Sequence, residues 1–266
     1  MAFEIVQIPK KLPPVKSPIM IEGLPGIGNV GKIAVDFMVD QLKPELIYQI
    51  YSDSFPNSVF VTEKNLVELP SVKVYLKRMK GEHDVLFLAG DFQPVEERAS
   101  YEFAENLVQM FNKMGGCEII TLGGIGLSQV PENPKVYCTG TDKKIVDKYA
   151  KGTSIETKLF GFVGPIIGAA GLLLGIGKKR KIPAITLLAE TFAHPMYLGI
   201  KGAREMIRIL NQKLSLRVDI RKIDRDMKEI ERQIKNNLQA DLGKQFGKPE
   251  LMHKFKKLPP DMNYIG

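Results

Sequence analysis

The segment PIMIEGLPGIGNVGKIAVDFMVDQL, residues 18–42, decides the fold. Its apolar run at 19–21 predicts a buried strand, residues 22–28 predict a loop, and a helix is predicted to begin at Asn29 or Val30. The apolar residues of that helix recur at helical spacing, at Ile33, Phe37, Met38 and Leu42. A strand, a glycine-rich loop and a helix in this order are typical of an α/β protein.

The glycines of this loop fit two nucleotide-binding patterns. Gly26, Gly28 and Gly31 match G-x-G-x-x-G, which predicts dinucleotide binding when an acidic residue such as Asp53 follows the next strand. Gly31 and Lys32 nearly complete a P-loop, but Ile33 stands where a magnesium-binding Ser or Thr is needed. The alternative is structural, since glycines also let a helix turn tightly off a strand and pack close to it.

In the rest of the chain, apolar strand segments alternate with helical ones. We expect an extended lead-in at 1–17 and a hairpin from 58–62 and 66–69. Further strands are predicted at 45–51, 72–77, 84–89, 117–122, 135–138 and 182–189, with a glycine turn at 123–126. Helices are predicted at 96–114, 143–150 and 198–214. This alternation predicts an α/β fold with a mostly parallel, helix-covered sheet and an antiparallel hairpin insertion.

One uncharged run of 19 residues, 159–177, has two interpretations. Its length and the following Lys178-Lys179-Arg180-Lys181 resemble a membrane-spanning helix. Its six glycines and Pro165 instead favour a strand at 158–163, a turn, and a helix with Pro165 as its first residue. We adopt the second interpretation and predict no membrane contact.

Composition and charge narrow the classes of function. Cys117 and Cys138 are too few for a disulfide framework and have no metal-binding spacing, and no signal peptide is visible, so we expect a cytoplasmic protein. Residues 1–177 carry a net −2 and residues 178–266 a net +10, which together give the +8 of the chain. This asymmetry favours an acidic partner or nucleic acid, or else belongs to a solvated helical face. Because no aromatic residues interleave the basic ones, we predict no nucleic-acid partner.

Acidic residues follow several predicted strands, at Glu22, Asp53, Asp91 and Glu190. Carboxylates at the carboxyl ends of parallel strands can bind a cation or act as acid and base, and they equally serve as turn and cap residues. Glu190 and His194 are four residues apart, but no second histidine completes a zinc motif. We therefore predict no catalytic residues, no metal and no cofactor.

The C-terminal part has a different pattern. Apolar residues at three- and four-residue steps from Ile220 to Leu238 predict a charged helix with a narrow apolar stripe, which packs either between subunits or on the core. Residues 243–266 are basic, contain prolines and predict a flexible tail. The predicted domains are an α/β domain at 1–215, a helix at 216–242 and the tail at 243–266.

Five stretches of the chain together resemble the archaeal proteasome assembly chaperone family, relatives of the eukaryotic proteasome assembly chaperone two. They are the loop EGLPGIGNVG at 22–31, the DVLFLAGDFQP segment from Asp84, the GGIG segment at 123–126, the Gly164-Pro165 to Gly175 segment, and Glu190-Thr191-Phe192 with His194-Pro195. The resemblance spans about residues 15–215.

This resemblance implies a non-enzymatic, ATP-independent chaperone or adaptor with a phosphorylase-like α/β fold. Such proteins form homo-oligomers, and their C-terminal tails reach the pockets between proteasome α subunits. We therefore expect Tyr264, Ile265 and Gly266 to bind the partner. Family tails often end in a hydrophobic residue, a tyrosine and one last residue, whereas Tyr264 is third from the end here. The alternative function is a nucleotide-binding α/β enzyme that uses the loop at 26–31.

Overall fold

The structure, a computed structural model, describes residues 3–161 and 164–225. The chain forms two compact units, residues 1–218 and 219–266. The second unit is described only over 219–225, so most of the predicted C-terminal helix and the whole predicted tail lie outside the described residues. The predicted domain boundaries stay a prediction.

The strands of the described residues are β1 (Phe3–Gln7), β2 (Ile19–Gly23), β3 (Glu45–Ser52), β4 (Phe60–Val61), β5 (Val67–Glu68), β6 (Val72–Lys77), β7 (Val85–Gly90), β8 (Glu118–Leu127), β9 (Val136–Gly140), β10 (Ile155–Glu156) and β11 (Ala184–Phe192). Nine of them form one sheet in the order β1-β3-β6-β7-β2-β8-β11-β9-β10, and β4 and β5 pair separately. The helices are α1 (Val30–Leu42), α2 (Glu97–Lys113), α3 (Lys143–Ala150), α4 (Ala169–Lys179) and α5 (Ile200–Leu214).

The centre of the large sheet is parallel. Strands β7, β2, β8 and β11 run side by side in one direction, whereas β6 and β9 pair antiparallel with this group at its two sides. Every residue of β2 and β7 is buried, because helices cover both faces of these strands. The expected mixed α/β fold with a helix-covered, mostly parallel sheet is confirmed.

The helices pack in pairs, α1 with α5 and α2 with α4. Helix α2 has a strongly one-sided apolar face, including Phe103, Leu107 and Phe111, which joins the main core. Its first turn is capped by Glu96, whose carboxylate accepts the backbone N–H groups of Arg98 and Ala99. Among the described residues, no helix combines the length and the apolar character needed to cross a bilayer.

Several predicted elements differ from the structure. The lead-in contains strand β1, which pairs antiparallel with β3. The hairpin forms at 60–68 as its own small sheet between β3 and β6. The predicted helix from Pro165 begins four residues later, at Ala169, where Gln93 Oε1 accepts the backbone N–H of Ala169 at 2.7 Å. No strand is present in the described part of 158–163, and residues 162 and 163 lie outside it.

The predicted turn at 123–126 is also wrong, because these residues continue strand β8 beside β11. A Cβ on Gly124 would overlap the carbonyl oxygen of Ile27. These glycines therefore mark a place where the glycine-rich loop crosses the strand closely, which is a known use of glycine within strands.

Candidate functional site

The carboxyl-terminal edge of the central strands is the natural place for a site. Ligands of open α/β sheets bind outside the carboxyl ends of parallel strands, and the glycine-rich loop leaves β2 at this edge. The same edge receives the loops that follow β3, β7, β8 and β11. It therefore collects most residues that the sequence identifies as candidates, and we refer to it as the strand-end edge.

The glycine-rich loop is packed against its neighbours. Gly28 has a φ of +61°, and a Cβ there would overlap the side chain of Thr191. A Cβ on Gly31 would overlap the carbonyl oxygen of Leu122. The backbone N–H of Gly199 donates to the carbonyl of Gly28 at 2.8 Å, which ties the loop to the start of α5. The glycines thus form a close joint between strand, loop and helix.

Lys32, the candidate phosphate ligand, is already engaged. Its side chain is 2% exposed, and its Nζ lies 2.8 Å from Asp36 Oδ2, 2.9 Å from Asp91 Oδ1 and 3.2 Å from the carbonyl of Gly90. Burial acts to lower the pKa of Lys32, but the two carboxylates outweigh it, so the pKa is raised. Lys32 therefore holds α1 to the end of β7 as a buried ammonium, and its donors point into the protein.

Glu22 is buried beneath this joint. It lies within β2, one residue before the strand ends, and is 1% exposed. Its Oε1 accepts the backbone N–H of Leu24 at 2.9 Å, whereas Oε2 has no hydrogen-bond partner among the described residues. Burial raises the pKa of Glu22 to about 8, against hydrogen bonds from Leu24 and Leu122 that act to lower it. A pKa of about 8 favours the protonated, neutral form of Glu22 at pH 7.

The other two acids have separate positions. Asp53 follows β3, and the strands β6 and β7 lie between β3 and β2 in the sheet. Asp53 therefore does not lie on the strand beside the loop, as a ribose ligand would. Glu190 lies within β11, where its Oε2 accepts the backbone N–H of Lys135 at 2.9 Å and its Oε1 accepts the hydroxyl of Tyr137 at 3.1 Å. Of the four acids, only Asp91 contacts Lys32, and the described residues contain no group of three or more His, Cys, Asp or Glu that could hold a metal ion.

The five stretches that carry the resemblance meet at the joint. Gln93 links two of them, because its Nε2 donates to the carbonyl of Pro25 at 2.7 Å while its Oε1 accepts the N–H of Ala169. Thr191 and Gly124 bring the other two against the loop at Gly28 and Ile27. The shared sequence features therefore build one structural joint from segments that lie far apart in the chain.

Sequence reasoning missed a rim of exposed apolar side chains at the strand-end edge. Loops after β2, β7, β8 and β11 carry Ile27, Val95, Val130 and Met196, all at least half exposed. The hairpin after β3 adds further exposed residues, which are Val59, Val61, Leu66, Val67 and Leu69. The alternation of apolar and polar residues at 58–69 was the signal for these residues in the sequence. Their exposure, however, follows only from the separate pairing of β4 with β5.

The predicted partner-binding residues Tyr264, Ile265 and Gly266 lie outside the described residues. The described part of the chain therefore presents the strand-end edge, with an engaged lysine, a neutral glutamic acid and an apolar rim. Lys32 and Glu190 are held by neighbouring groups, whereas one oxygen of Glu22 has no hydrogen-bond partner among the described residues.

The model of the PAC2 family matches residues 20–238. An uncharacterized protein of Methanocaldococcus jannaschii, MJ1210, is 30% identical over 261 residues, which are 97% of this chain and 95% of the relative.

Two solved structures from Pyrococcus furiosus are similar to this one. PbaB, described as an archaeal proteasome activator, has a TM-score of 0.80 and 31% identity, and the match covers 88% of this chain and 98% of PbaB. PbaA, described as an archaeal homolog of proteasome-assembly chaperone, has a TM-score of 0.74 and 24% identity over 90% of this chain and 93% of PbaA. The second similarity shows the fold alone.

Proposed function

The chain belongs to the PAC2 family, and on that premise we propose that it acts on the proteasome as an assembly chaperone or activator. It is a binding protein and not an enzyme in this proposal, and it works in the cytoplasm. The observation that carries the proposal is the similarity to PbaB, an archaeal proteasome activator, at 31% identity and over 98% of that chain.

The geometry of the strand-end edge supports a binding protein. A phosphate cradle needs free backbone N–H groups and a lysine that reaches the ligand. Here Lys32 is 2% exposed and paired with Asp36 and Asp91, and the glycine-rich loop lies against β8 and β11. The apolar rim on the same edge, in contrast, offers contact surface of the kind that protein interfaces use.

The finer parts of the proposal concern oligomer, partner and tail. We infer that the chain forms a homo-oligomer, contacts proteasome α subunits, and needs no ATP. Tyr264, Ile265 and Gly266 enter a pocket on the partner, where an aromatic anchor is recognised. Five lysines between residues 244 and 257 steer this tail toward acidic surface.

The direct test mixes the full-length chain with purified archaeal proteasome core particle at low salt. We expect the two to co-migrate on native gels and the cleavage of a fluorogenic peptide by the core particle to change. A chain that ends at Pro260 should lose most of this binding, while the exposed substitution Glu132→Gln, far along the chain from the tail, should retain it. Absence of any complex with the intact chain would contradict the proposal.

A second test concerns the alternative, a nucleotide-binding enzyme that uses the loop at 26–31. Calorimetric titration of the full-length chain with ATP, NAD and NADP should give no binding heat, because the donors of Lys32 are occupied. Saturable heat that disappears on substitution of Lys32 by methionine in a folded variant would favour the enzyme over the chaperone.

A further inference from the structure

A cleft of about 680 Å³ opens beside the hairpin, between the ends of β1 and β3 and the loop that follows them. This volume is within the range of about 300–1,000 Å³ that is typical of ligand sites. The residues that line it are Glu4, Tyr51, Ser52, Asp53, Phe55, Pro56, Asn57, Ser58, Val59, Leu69 and Pro70. We call it the hairpin cleft.

The floor of the hairpin cleft is anchored to the core. Phe55 is buried, and its ring lies 6.4 Å from that of Phe3 and 6.3 Å from that of Phe103 in α2. The loop is folded on itself, since the backbone N–H of Phe55 donates to the carbonyl of Ser52 and that of Ser58 donates to the carbonyl of Pro56. A floor fixed in this way is largely formed before any ligand binds.

The lining of the cleft is partly apolar and partly acidic. Val59 and Leu69 of the hairpin are exposed and form an apolar wall together with Pro70. Glu4 and Asp53 also line the cleft, where Glu4 stands directly across from Tyr51 in the β1–β3 pair and Asp53 follows β3. Within the described residues neither carboxylate forms an ion pair, and no lysine or arginine lines the cleft.

We propose that the hairpin cleft binds an extended peptide segment in which lysine or arginine residues stand beside proline and other apolar residues. Two unpaired carboxylates attract a cation and repel phosphate or nucleic acid. Aromatic and proline surfaces suit extended, proline-containing segments, which lose little conformational entropy on docking. The apolar wall then contacts the side chains next to the basic residue. This site is distinct from the tail contact of the proposed function.

A synthetic peptide with the sequence of residues 252–260, MHKFKKLPP, has the required composition and serves as the probe. Fluorescence anisotropy of the labelled peptide with the full-length chain should show saturable binding that weakens as salt increases. The variant E4Q/D53N should bind at least about tenfold more weakly, which corresponds to one lost charged contact. A peptide with all lysines replaced by glutamine should bind as weakly to the parent.

The matched control is E132Q/E156Q, which removes two exposed carboxylates outside the cleft and leaves the same net charge as E4Q/D53N. It should bind the probe as the parent does. The substitution Val59→Ser, at a half-exposed position of the wall, should weaken binding several-fold without unfolding the chain.

Four results would overturn the proposal. The first two are the absence of saturable binding and equal weakening in both double variants. The third is equally strong competition by free lysine amide, which would indicate a small-amine site. The fourth is a change of oligomeric state in E4Q/D53N without peptide binding, which would assign the cleft to a second copy. Binding of the core particle by E4Q/D53N is scored separately, so that failure of this site and failure of the proteasome role remain distinguishable.

Discussion

Substitution of Glu22 by glutamine should change how the stability of the protein depends on pH. Glu22 is 1% exposed, its Oε2 has no hydrogen-bond partner, and burial raises its pKa from 4.5 to about 8. In the unfolded chain the same carboxyl ionises near 4.5. Between these two values the folded chain keeps a proton that the unfolded chain has released. Stability contributed by the neutral acid is therefore complete below pH 4.5 and is lost as the pH rises toward 8.

The size of this effect follows from proton linkage. One proton of difference lowers the free energy of unfolding by about 1.4 kcal/mol for each pH unit. Glutamine resembles the neutral acid in shape and does not ionise. Relative to E22Q, the parent should therefore lose roughly 2–3 kcal/mol between pH 5.5 and pH 7.5, with little further change above pH 8.

Guanidinium unfolding of the full-length chain, followed by circular dichroism at each half pH unit, measures this difference. Glu132→Gln, at an exposed position, is the matched control and should track the parent across the series. If the curves of E22Q and the parent stay parallel from pH 5.5 to pH 8, Glu22 is ionised in the folded protein. The interpretation of this residue as a neutral acid would then be wrong.

Two further pairs of substitutions test the joint, both by guanidinium unfolding. Gly28→Ala combines a φ of +61° with an overlap at the added Cβ and should lower the free energy of unfolding by about 2–4 kcal/mol. Gly26→Ala is its control, because the added Cβ meets no atom within 4 Å, and it should change the free energy of unfolding by less than about 0.5 kcal/mol. Equal effects of the two substitutions would contradict the close joint. Asp91→Asn should lower the free energy of unfolding by about 3 kcal/mol, because it leaves Lys32 buried with one carboxylate. Asp36→Asn should lower it by less, since the side chain of Asp36 is 34% exposed against 9% for Asp91. The opposite order would assign the main ion pair to Asp36.

Much of the fold was predictable because the spacing of apolar residues in the sequence agrees with the burial of those residues in the central elements. The apolar run before Glu22 and the helical spacing after Asn29 predicted β2 and the helix from Val30 to Leu42. The short helix at 143–150 was predicted with its observed bounds, since Asp142 provides an N-cap whose carboxylate accepts the N–H of Ile145. These elements are specified by neighbours within a few residues in the chain.

The errors arose where distant segments decide the structure. Residues 123–126 appear as a turn by composition, but pairing with β11 extends the strand through them. Asp53 has the sequence separation of a ribose ligand, yet β6 and β7 intervene between its strand and the loop. The sequence likewise could not indicate that Lys32 is held by Asp36 and Asp91, because Asp91 is 59 residues away and approaches only through the order of the strands.

The joint also limits what the family resemblance can say about function. The matched stretches around Pro25, Gln93, Gly124, Ala169 and Thr191 contact one another, so their sequence is constrained by packing at the joint. A protein can share all of them with a proteasome activator because it shares the body, whatever partner it binds. Partner choice must then depend on surface that the joint does not constrain, namely the apolar rim, the hairpin cleft and the last residues of the chain. Tyr264 belongs to this surface, and its replacement by alanine would therefore change binding to the core particle without a change in the stability of the body.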